Sequence, residues 1–280
     1  MHSRKIRQYR LGILHVHRRK KKYSLIKMEV VPKLVFIIPY RDREQQKHFF
    51  KRNMSYILED IPEADYKIFF VEQNDNRAFN RGALKNIGFI VTRQLYPDDY
   101  QNITFVFNDV DTMPYTKNFL DYDTLQGTIK HFYGFRFALG GIFSIKGLDF
   151  ERINGFPNFW AWGFEDNLIN KRALKYGCFV DRSNFYQISD KNIMHMSDGL
   201  IRNVNRTDFD AYMKDTNEGI NSIFNLDYDI IENEFTIKVN AFYTGREENP
   251  NTKKAYDLTT GPAPFKSNSR RGAKIGMVGL

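Results

Sequence analysis

The residues of this chain best suited to chemistry are two acidic pairs, each of which follows an apolar segment. The first pair is Glu165-Asp166, directly after the loop Phe156–Phe164, which holds both tryptophans of the chain. Aromatic rings beside carboxylates suit a sugar, because its C–H face stacks on a ring while the acids bind its hydroxyls. The alternative is an aromatic loop that belongs to the core. The acids and the hinge at Gly163 favour a carbohydrate site.

The second pair is Asp109 and Asp111, which follow the apolar segment Ile103–Phe107. That segment predicts a buried strand, and residues i and i+2 of a strand point to the same side. Open α/β sheets bind ligands at the carboxyl ends of their strands. Two carboxylates there suit magnesium or manganese, together with a diphosphate that the metal neutralises. The alternative is a simple turn that ends the strand.

Arginines stand at two further points where the chain can meet a phosphate. Arg41 and Arg43 follow the predicted strand Leu34–Pro39, and Arg81 lies near the start of the predicted helix Phe79–Leu95. A guanidinium at a strand exit or a helix N-terminus can bind a nucleotide phosphate. Taken singly, each arginine is better explained as an exposed surface residue.

In order and type, these segments resemble the beta-1,4-galactosyltransferase family. The segments that carry the resemblance are Tyr40–Arg43, Phe79–Gly88, Asp109–Asp111, Gly140-Gly141, Gly155–Asn167, His195 and Gly219–Ser222. They extend from about Leu34 to about Ile231. The resemblance implies an inverting, manganese-dependent enzyme with a GT-A fold, which transfers a sugar from a UDP-sugar donor to a glycan or glycoconjugate acceptor.

The resemblance also implies a role for each matching residue. Mn²⁺ would be held by Asp111, His195 and Asn192, and Asp166 would be the catalytic base, with Glu165 supporting the sugar hydroxyls. The residues implied to bind the nucleotide sugar are Arg41, Arg43, Phe79, Arg81, Asp109, Ala138, Gly140, Gly141 and Trp162. Those implied to border the acceptor are Trp160, Phe164 and Asn167.

Some positions depart from the family pattern. Phe164 stands where the family has glycine, Asn167 replaces an acid, and Asn192 replaces a thioether metal ligand. Ala138 replaces an aromatic residue near the donor's C2 group, which makes N-acetylgalactosamine an alternative to galactose. Two other functions therefore stay open: transfer of another hexose or N-acetylhexosamine on the same fold, and carbohydrate binding without turnover.

Charge is concentrated at the start of the chain. Residues 1–30 hold ten Lys or Arg and one Glu, a net of +9, which equals the net charge of all 280 residues. The remaining chain is neutral, so the basic pI does not indicate nucleic-acid binding. We predict that 1–30 is a disordered leader, in preference to an amphipathic helix on a membrane surface.

Residues 31–280 are predicted to contain one α/β domain followed by a tail, and the cysteine content indicates the compartment. Residues 31–243 are expected to form a GT-A domain with a mostly parallel central sheet flanked by helices, and 244–280 an extended or disordered tail. Cys178 is the only cysteine, which precludes the family's disulfides and favours a reducing compartment. With neither a signal peptide nor an apolar span recognisable in the sequence, we expect a soluble, cytoplasmic protein.

Alternating patterns predict the main elements of that domain. The predicted strands are Leu34–Pro39, Tyr66–Gln73, Ile103–Phe107 and Gly141–Ile145. The predicted helices are Glu44–Asp60, Phe79–Leu95 and Glu165–Tyr176.

Overall fold

The computed structural model describes residues 30–196, 199, 201–214, 218–257 and 259, and these contain thirteen strands and five α-helices. The strands are β1 Leu34–Tyr40, β2 Tyr66–Gln73, β3 Thr104–Asn108, β4 Thr112–Pro114, β5 Thr128–Gly134, β6 Ile142–Lys146, β7 Phe179–Asp181, β8 Tyr186–Gln187, β9 Ile193–His195, β10 Ile201–Val204, β11 Phe224–Ile231, β12 Thr236–Tyr243 and β13 Lys254–Asp257. The helices are α1 Glu44–Ile57, α2 Arg81–Leu95, α3 Gly147–Arg152, α4 Glu165–Lys175 and α5 Arg206–Tyr212.

Nine of the strands form one central sheet. Its order is β11-β12-β2-β1-β3-β6-β5-β7, and β8 pairs with β5 beside that path. The pairs β1–β2, β1–β3, β2–β12, β5–β7 and β5–β8 are parallel, whereas β11–β12, β3–β6 and β5–β6 are antiparallel. The predicted α/β class with a mostly parallel central sheet is confirmed.

Strand β1 lies between two apolar cores, because its successive side chains point to opposite faces of the sheet. Val35 and Ile37 pack in the core that includes helix α2. Phe36 and Ile38 pack in the core that includes helix α1. All four side chains are fully buried, which explains why β1 is a continuous apolar run rather than an alternating one.

The predicted elements agree with the observed ones within a few residues. Helix α1 ends at Ile57 rather than Asp60, and α2 begins at Arg81 rather than Phe79. Asn80 caps α2, since its side chain accepts a hydrogen bond from the backbone N–H of Ala83 at 2.9 Å. The start of α2 is therefore fixed, and Arg81 is its first residue.

The two end segments predicted from the sequence are residues 1–30 and 244–280. The predicted leader lies outside the described residues, apart from residue 30. At the other end, a 3₁₀ turn at Pro250–Thr252 precedes β13, which pairs with β10. The ordered chain therefore continues beyond residue 243, into the segment predicted as a tail. Among the described residues, none of the helices has the length and apolar character needed to cross a membrane.

Candidate active site

The sheet brings the predicted chemical residues to one edge. Strands β1 and β3 are parallel neighbours, with Ile37 opposite Phe107. Their carboxyl ends therefore lie side by side, so that Arg41 and Arg43 follow one strand while Asp109 follows the other. This edge is where open α/β sheets bind their ligands.

Arg81 connects the two acidic pairs. Its Nη2 donates to both carboxylate oxygens of Asp109, at 2.6 and 2.7 Å. Its Nη1 donates to Oε1 of Glu165 at 2.6 Å and to Oδ2 of Asp166 at 2.9 Å. Charge-assisted bonds of this forked kind are strong and directional. One guanidinium therefore fixes three carboxylates that are distant in the sequence.

Lys85 lies one helical turn after Arg81 and joins the same group of acids. Its ammonium is 3.6 Å from Oδ1 of Asp166 and 3.8 Å from Oδ1 of Asp109. The side chain is only 1% exposed. Lys85 carries no predicted role, because a lysine in a helix normally indicates an exposed face.

The glycine pair predicted at the donor site packs directly on Asp166. Any side chain on Gly140 would collide with the Asp166 carboxylate. The backbone N–H of Leu139 donates to the Asp166 carbonyl at 2.8 Å, and that of Asp109 donates to the Gly141 carbonyl at 3.2 Å. The Gly140-Gly141 segment thus holds both acidic pairs in place through its backbone.

His131 supports that segment from within the sheet. Its Nε2 lies 3.1 Å from the carbonyl oxygen of Gly140, and Arg182 donates to its Nδ1 at 3.0 Å. Burial, and then the charge of Arg182, lower the pKa of His131 to about 4. His131 is therefore neutral at physiological pH and acts here as a hydrogen-bonding brace.

The carboxylates of this group differ in how readily they ionise. Burial opposes the charge on Asp109, but Arg81 and then Lys85 outweigh it, so the pKa of Asp109 is below its ordinary value. Burial and the neighbouring Asp166 raise the pKa of Glu165. Oε2 of Glu165 is also buried without a hydrogen-bond partner among the described residues. Burial raises the pKa of Glu165 because it penalises the charged form of the acid, and the ion pair with Arg81 opposes this effect.

Asp111 and His195 form a separate pair on the other side of Asp109. The antiparallel ladder of β4 and β9 sets Thr112 opposite His195, and the backbone N–H of Met196 donates to the Asp111 carbonyl at 2.9 Å. Nε2 of His195 is consequently 3.9 Å from Oδ2 of Asp111. Burial and the charge of Asp109 raise the pKa of Asp111.

This pair fits the chemistry of a manganese site. Carboxylate oxygen and imidazole nitrogen are suitable ligands for Mn²⁺, and a divalent cation would offset the negative charge shared by Asp109 and Asp111. In the part of the chain that the structure describes, no group of three or more His, Cys, Asp or Glu side chains is arranged to hold a metal ion. Asp111 and His195 are the pair whose side chains could contribute to holding one.

Asn192, the third predicted metal ligand, directly precedes β9. Its backbone carbonyl accepts from the backbone N–H of Tyr115 at 3.3 Å. Its side-chain NH₂ group donates to Oδ1 of Asp190 at 3.0 Å. This bond uses the nitrogen, whereas the atom that would bind a metal is Oδ1, so Asn192 as a ligand stays a prediction.

The tryptophan loop is tied to the start of α2. Any side chain on Gly82 would collide with the carbonyl of Pro157, so the loop backbone approaches the helix closely. The side chain of Asn86 donates to Oδ1 of Asn158 and to the Phe156 carbonyl, both at 2.8 Å. These buried asparagines explain how a loop without regular structure delivers Glu165 and Asp166 to a fixed place.

Trp160 does not lie where an acceptor could reach it, which corrects the predicted role. It is 1% exposed and stacks on Phe242 with ring centroids 5.3 Å apart. The guanidinium of Arg77 covers the ring at 4.5 Å, and the indole N–H donates to the Arg246 carbonyl at 2.8 Å. Trp160 is a core residue with a satisfied polar atom.

The other residues of this loop stay accessible. Trp162, Phe164 and Asn167 are each partly exposed. Phe164 has a φ of 78° and packs edge-on against Phe209 with centroids 4.2 Å apart. A left-handed φ is unfavourable for a residue with a Cβ, and it accounts for the glycine that the family pattern has here.

The remaining predicted donor residues are distributed around the strand ends. The guanidinium of Arg41 lies 5.4 Å from the ring centroid of Phe79, which forms a cation–π contact. Arg43 is half-buried, and burial lowers the pKa of its guanidinium, while the charge of Asp111 opposes this effect. Ala138 is 4% exposed, beside the two exposed rings of Phe135 and Phe137.

Two family descriptions match the sequence. The N-terminal region of glycosyl transferase group 7 matches residues 12–122, and the N-terminal domain of galactosyltransferase matches residues 128–197. Together they include both acidic pairs, Arg81, Lys85 and His195.

Curated proteins and solved structures give the same relationship. The chain is 32% identical over 207 residues to beta-1,4-galactosyltransferase 1 of Bos taurus, which covers 68% of this chain and 49% of that protein. It is 32% identical over 152 residues to xylosylprotein 4-beta-galactosyltransferase of Caenorhabditis elegans, which covers 51% of this chain and 50% of that protein. The chain thus spans about half the length of the curated relatives that it matches.

The fold is similar to that of the catalytic domain of Drosophila beta1,4-galactosyltransferase 7 in complex with xylobiose. The TM-score is 0.60 at 22% identity, with 78% of this chain and 96% of that chain covered. A mutant of the same Drosophila protein, in complex with manganese, UDP-Gal and xylobiose, gives a TM-score of 0.58 with the same identity and coverage. The GT-A fold predicted from the sequence is confirmed, and the chain belongs to the beta-1,4-galactosyltransferase family within glycosyltransferase group 7.

Proposed function

We propose that this protein is an inverting, manganese-dependent glycosyltransferase that moves galactose from UDP-galactose to a sugar hydroxyl, in beta-1,4 linkage. The observation that carries the proposal is the position of Asp166. Arg81 holds its carboxylate at 2.9 Å beside the acids that follow β3. A carboxylate so placed can serve as the base next to a nucleotide-sugar site.

The relatives support the sugar and the donor. The matched curated proteins are named as galactosyltransferases. A structural relative was solved with UDP-Gal, manganese and xylobiose, so that protein binds a nucleotide sugar together with a glycan. We extend the same donor class and a glycan acceptor to this chain.

Asp111 and His195 are the residues proposed to hold the metal. When bound there, a divalent cation would supply Lewis-acid stabilisation of the charge that develops on the departing UDP. Asp111 would act as a carboxylate ligand, while His195 would offer its neutral imidazole. Asn192 would add its side-chain Oδ1 as a third ligand, since its hydrogen bond to Asp190 uses the NH₂ group.

The other residues have proposed roles in binding and proton transfer. Asp166 would take the proton from the acceptor hydroxyl as that oxygen attacks the anomeric carbon from the face opposite UDP. The carbon–oxygen bond to UDP breaks in the same displacement, which inverts the anomeric centre. Asp109 would accept hydrogen bonds from the ribose, and Arg41 and Arg43 would bind uridine and phosphate. Trp162, which is partly exposed, would pack on the donor or the acceptor sugar.

A specific residue favours a second donor, UDP-N-acetylgalactosamine. Ala138 is buried directly before the Gly140-Gly141 segment, on which Asp166 packs. A methyl group at this position leaves more room beside the donor's C2 substituent than the aromatic side chain of the family pattern. The size of the protein pocket around the donor's C2 substituent would thus decide between the two sugars.

Measuring UDP release from a panel of UDP-sugars with Mn²⁺, with and without a beta-linked N-acetylglucosamine acceptor, tests the proposal. Acceptor-dependent release from UDP-galactose is the expected result. Acceptor-dependent release from UDP-N-acetylgalactosamine but not from UDP-galactose would select the second donor. Saturable binding of a UDP-sugar without any release would indicate a carbohydrate-binding module and refute the proposed transfer.

A further inference from the structure

Lys85 is a buried cation at the centre of the acidic group. Its ammonium lies 3.6 Å from Asp166 and 3.8 Å from Asp109, and 4.6 Å from the ring centroid of Phe156. The side chain is sealed between α2 and the tryptophan loop, with 1% exposure. A substrate therefore cannot contact it, so any effect on a reaction must pass through its neighbours.

A buried ammonium is costly unless opposite charges compensate for it. A methionine of similar length would fill the same space without that cost. Its retention in a fully enclosed position points to a use for the charge itself. The atoms within reach of this charge are the carboxylate oxygens of Asp109 and Asp166.

The charges facing Asp166 show what Lys85 contributes. They come from Arg81 and Lys85 on α2, Glu165 on α4, Asp109 after β3, and His131 on β5. Burial, and then the charge of Arg81, lower the pKa of Lys85, whereas the carboxyl groups of Asp166 and Asp109 oppose that effect. Arg81 is shared among Asp109, Glu165 and Asp166. Lys85 is therefore the second basic group that can hold Asp166 in place.

We infer that Lys85 is a positioning residue, whose amino group holds Asp166 in the orientation needed to take a proton from the acceptor. The inference rests on the proposed function, since it requires Asp166 to be the base. It assigns a task in the reaction to a residue that never touches a substrate.

Loss of Lys85 should affect the chemical step more than donor binding. Without Lys85, Asp166 is held by Arg81 alone, which also bonds to Asp109 and Glu165. A base that is less well oriented slows proton transfer. The loss should therefore appear in kcat rather than in the affinity for UDP.

The test compares kcat and the dissociation constant for UDP in the wild type and Lys85→Met. The kcat should fall by about tenfold or more, while the dissociation constant for UDP changes less than about threefold. The matched control is Val91→Ala, a fully buried position on the same helix away from the acids. It should lower the melting temperature and leave kcat within about twofold of the wild type. An unchanged kcat in a folded Lys85→Met protein would overturn the inference.

A second comparison separates positioning from general destabilisation. In an Asp166→Asn background, Lys85→Met should lower the residual kcat by less than about twofold, since residues that act through one group are not additive. An equal loss in both backgrounds would contradict the inference. If Lys85→Met does not fold, the neutral Lys85→Gln carries the same two expectations. A wild type that is inactive with every UDP-sugar would instead refute the proposed function.

Discussion

Two acidic regions lie side by side at the carboxyl edge of the sheet, and they differ in how their charge is balanced. Asp109 and Asp166 are bonded to Arg81 at 2.6–2.9 Å and lie within 4 Å of Lys85. Asp111, two residues after Asp109, has Nε2 of His195 3.9 Å from its Oδ2.

The electrostatic consequences are opposite. The cations outweigh burial at Asp109 and lower its pKa, whereas burial and the charge of Asp109 raise the pKa of Asp111. The protein therefore stabilises the charge on the first region through its own side chains. The second region is suited to a cation that is not part of the chain. This difference separates the proposed base from the proposed metal site.

The largest effect is expected at the second region. Asp111→Asn should abolish acceptor-dependent UDP release, because it removes the carboxylate from the proposed metal ligands. The melting temperature should not fall, since Asp111 has a raised pKa and thus gains little from being ionised in the fold.

The matched control for this change is Asp121→Asn. Asp121 is exposed and pairs with Lys130, so turnover should stay within about twofold of the wild type. Turnover of Asp111→Asn equal to that of the control would exclude Asp111 as a required ligand.

A change in the first region should slow the reaction and leave donor binding intact. Asp166→Asn should lower kcat by about 10²–10⁴-fold, because the amide cannot accept the acceptor's proton. Titration calorimetry with UDP and Mn²⁺ should give an unchanged affinity. Glu165→Gln should lower kcat by less, since Glu165 is not the proposed base and the amide can still accept a hydrogen bond from Arg81. If Glu165→Gln were the slower of the two, the base would be Glu165.

The two tryptophans allow a comparison between a core position and an accessible one. Trp160→Ala should lower the free energy of unfolding by about 3–5 kcal/mol, since it leaves a cavity beside Phe242. Trp162→Ala should lower the free energy of unfolding by about 1 kcal/mol or less and should instead raise the KM for the donor or the acceptor. Thermal unfolding and steady-state kinetics on both variants check this. Equal losses of stability would show that Trp162 is as much a core residue as Trp160.

The smallest effect concerns the choice of donor. Ala138→Tyr should shift the ratio of kcat/KM toward UDP-galactose over UDP-N-acetylgalactosamine by about tenfold or more, because a bulky ring narrows the C2 pocket. Phe137→Tyr, at a neighbouring exposed ring, is the control and should leave the ratio unchanged. An unchanged ratio in Ala138→Tyr would show that this position does not face the donor sugar.

Much of the fold and the identity of the acids could be predicted from local patterns. Strand β2 has the predicted bounds, and β1 and β3 agree within a residue, because apolar runs between turns define buried strands. Asp109 lies at the carboxyl edge of the sheet, as its position after an apolar strand predicts. Arg81 bonds to both Asp109 and Asp166 there.

What could not be predicted depends on contacts between distant segments. The burial of Trp160 requires Phe242 and Arg77, which lie about 80 residues away on either side. Lys85 is buried because the loops that carry Asp109 and Asp166 close over it. A helical lysine four residues after an arginine has no local signal for burial, although the later acids could have suggested a partner.

The difference between the two regions is tested most directly by removing the metal. UDP release from UDP-galactose and an acceptor should be measured in excess chelator, and again after Mn²⁺ is restored. Release should stop in chelator and return with Mn²⁺. The melting temperature should stay nearly constant, because the acids bonded to Arg81 are stabilised by the protein's own basic side chains. Full activity in excess chelator would contradict the metal requirement.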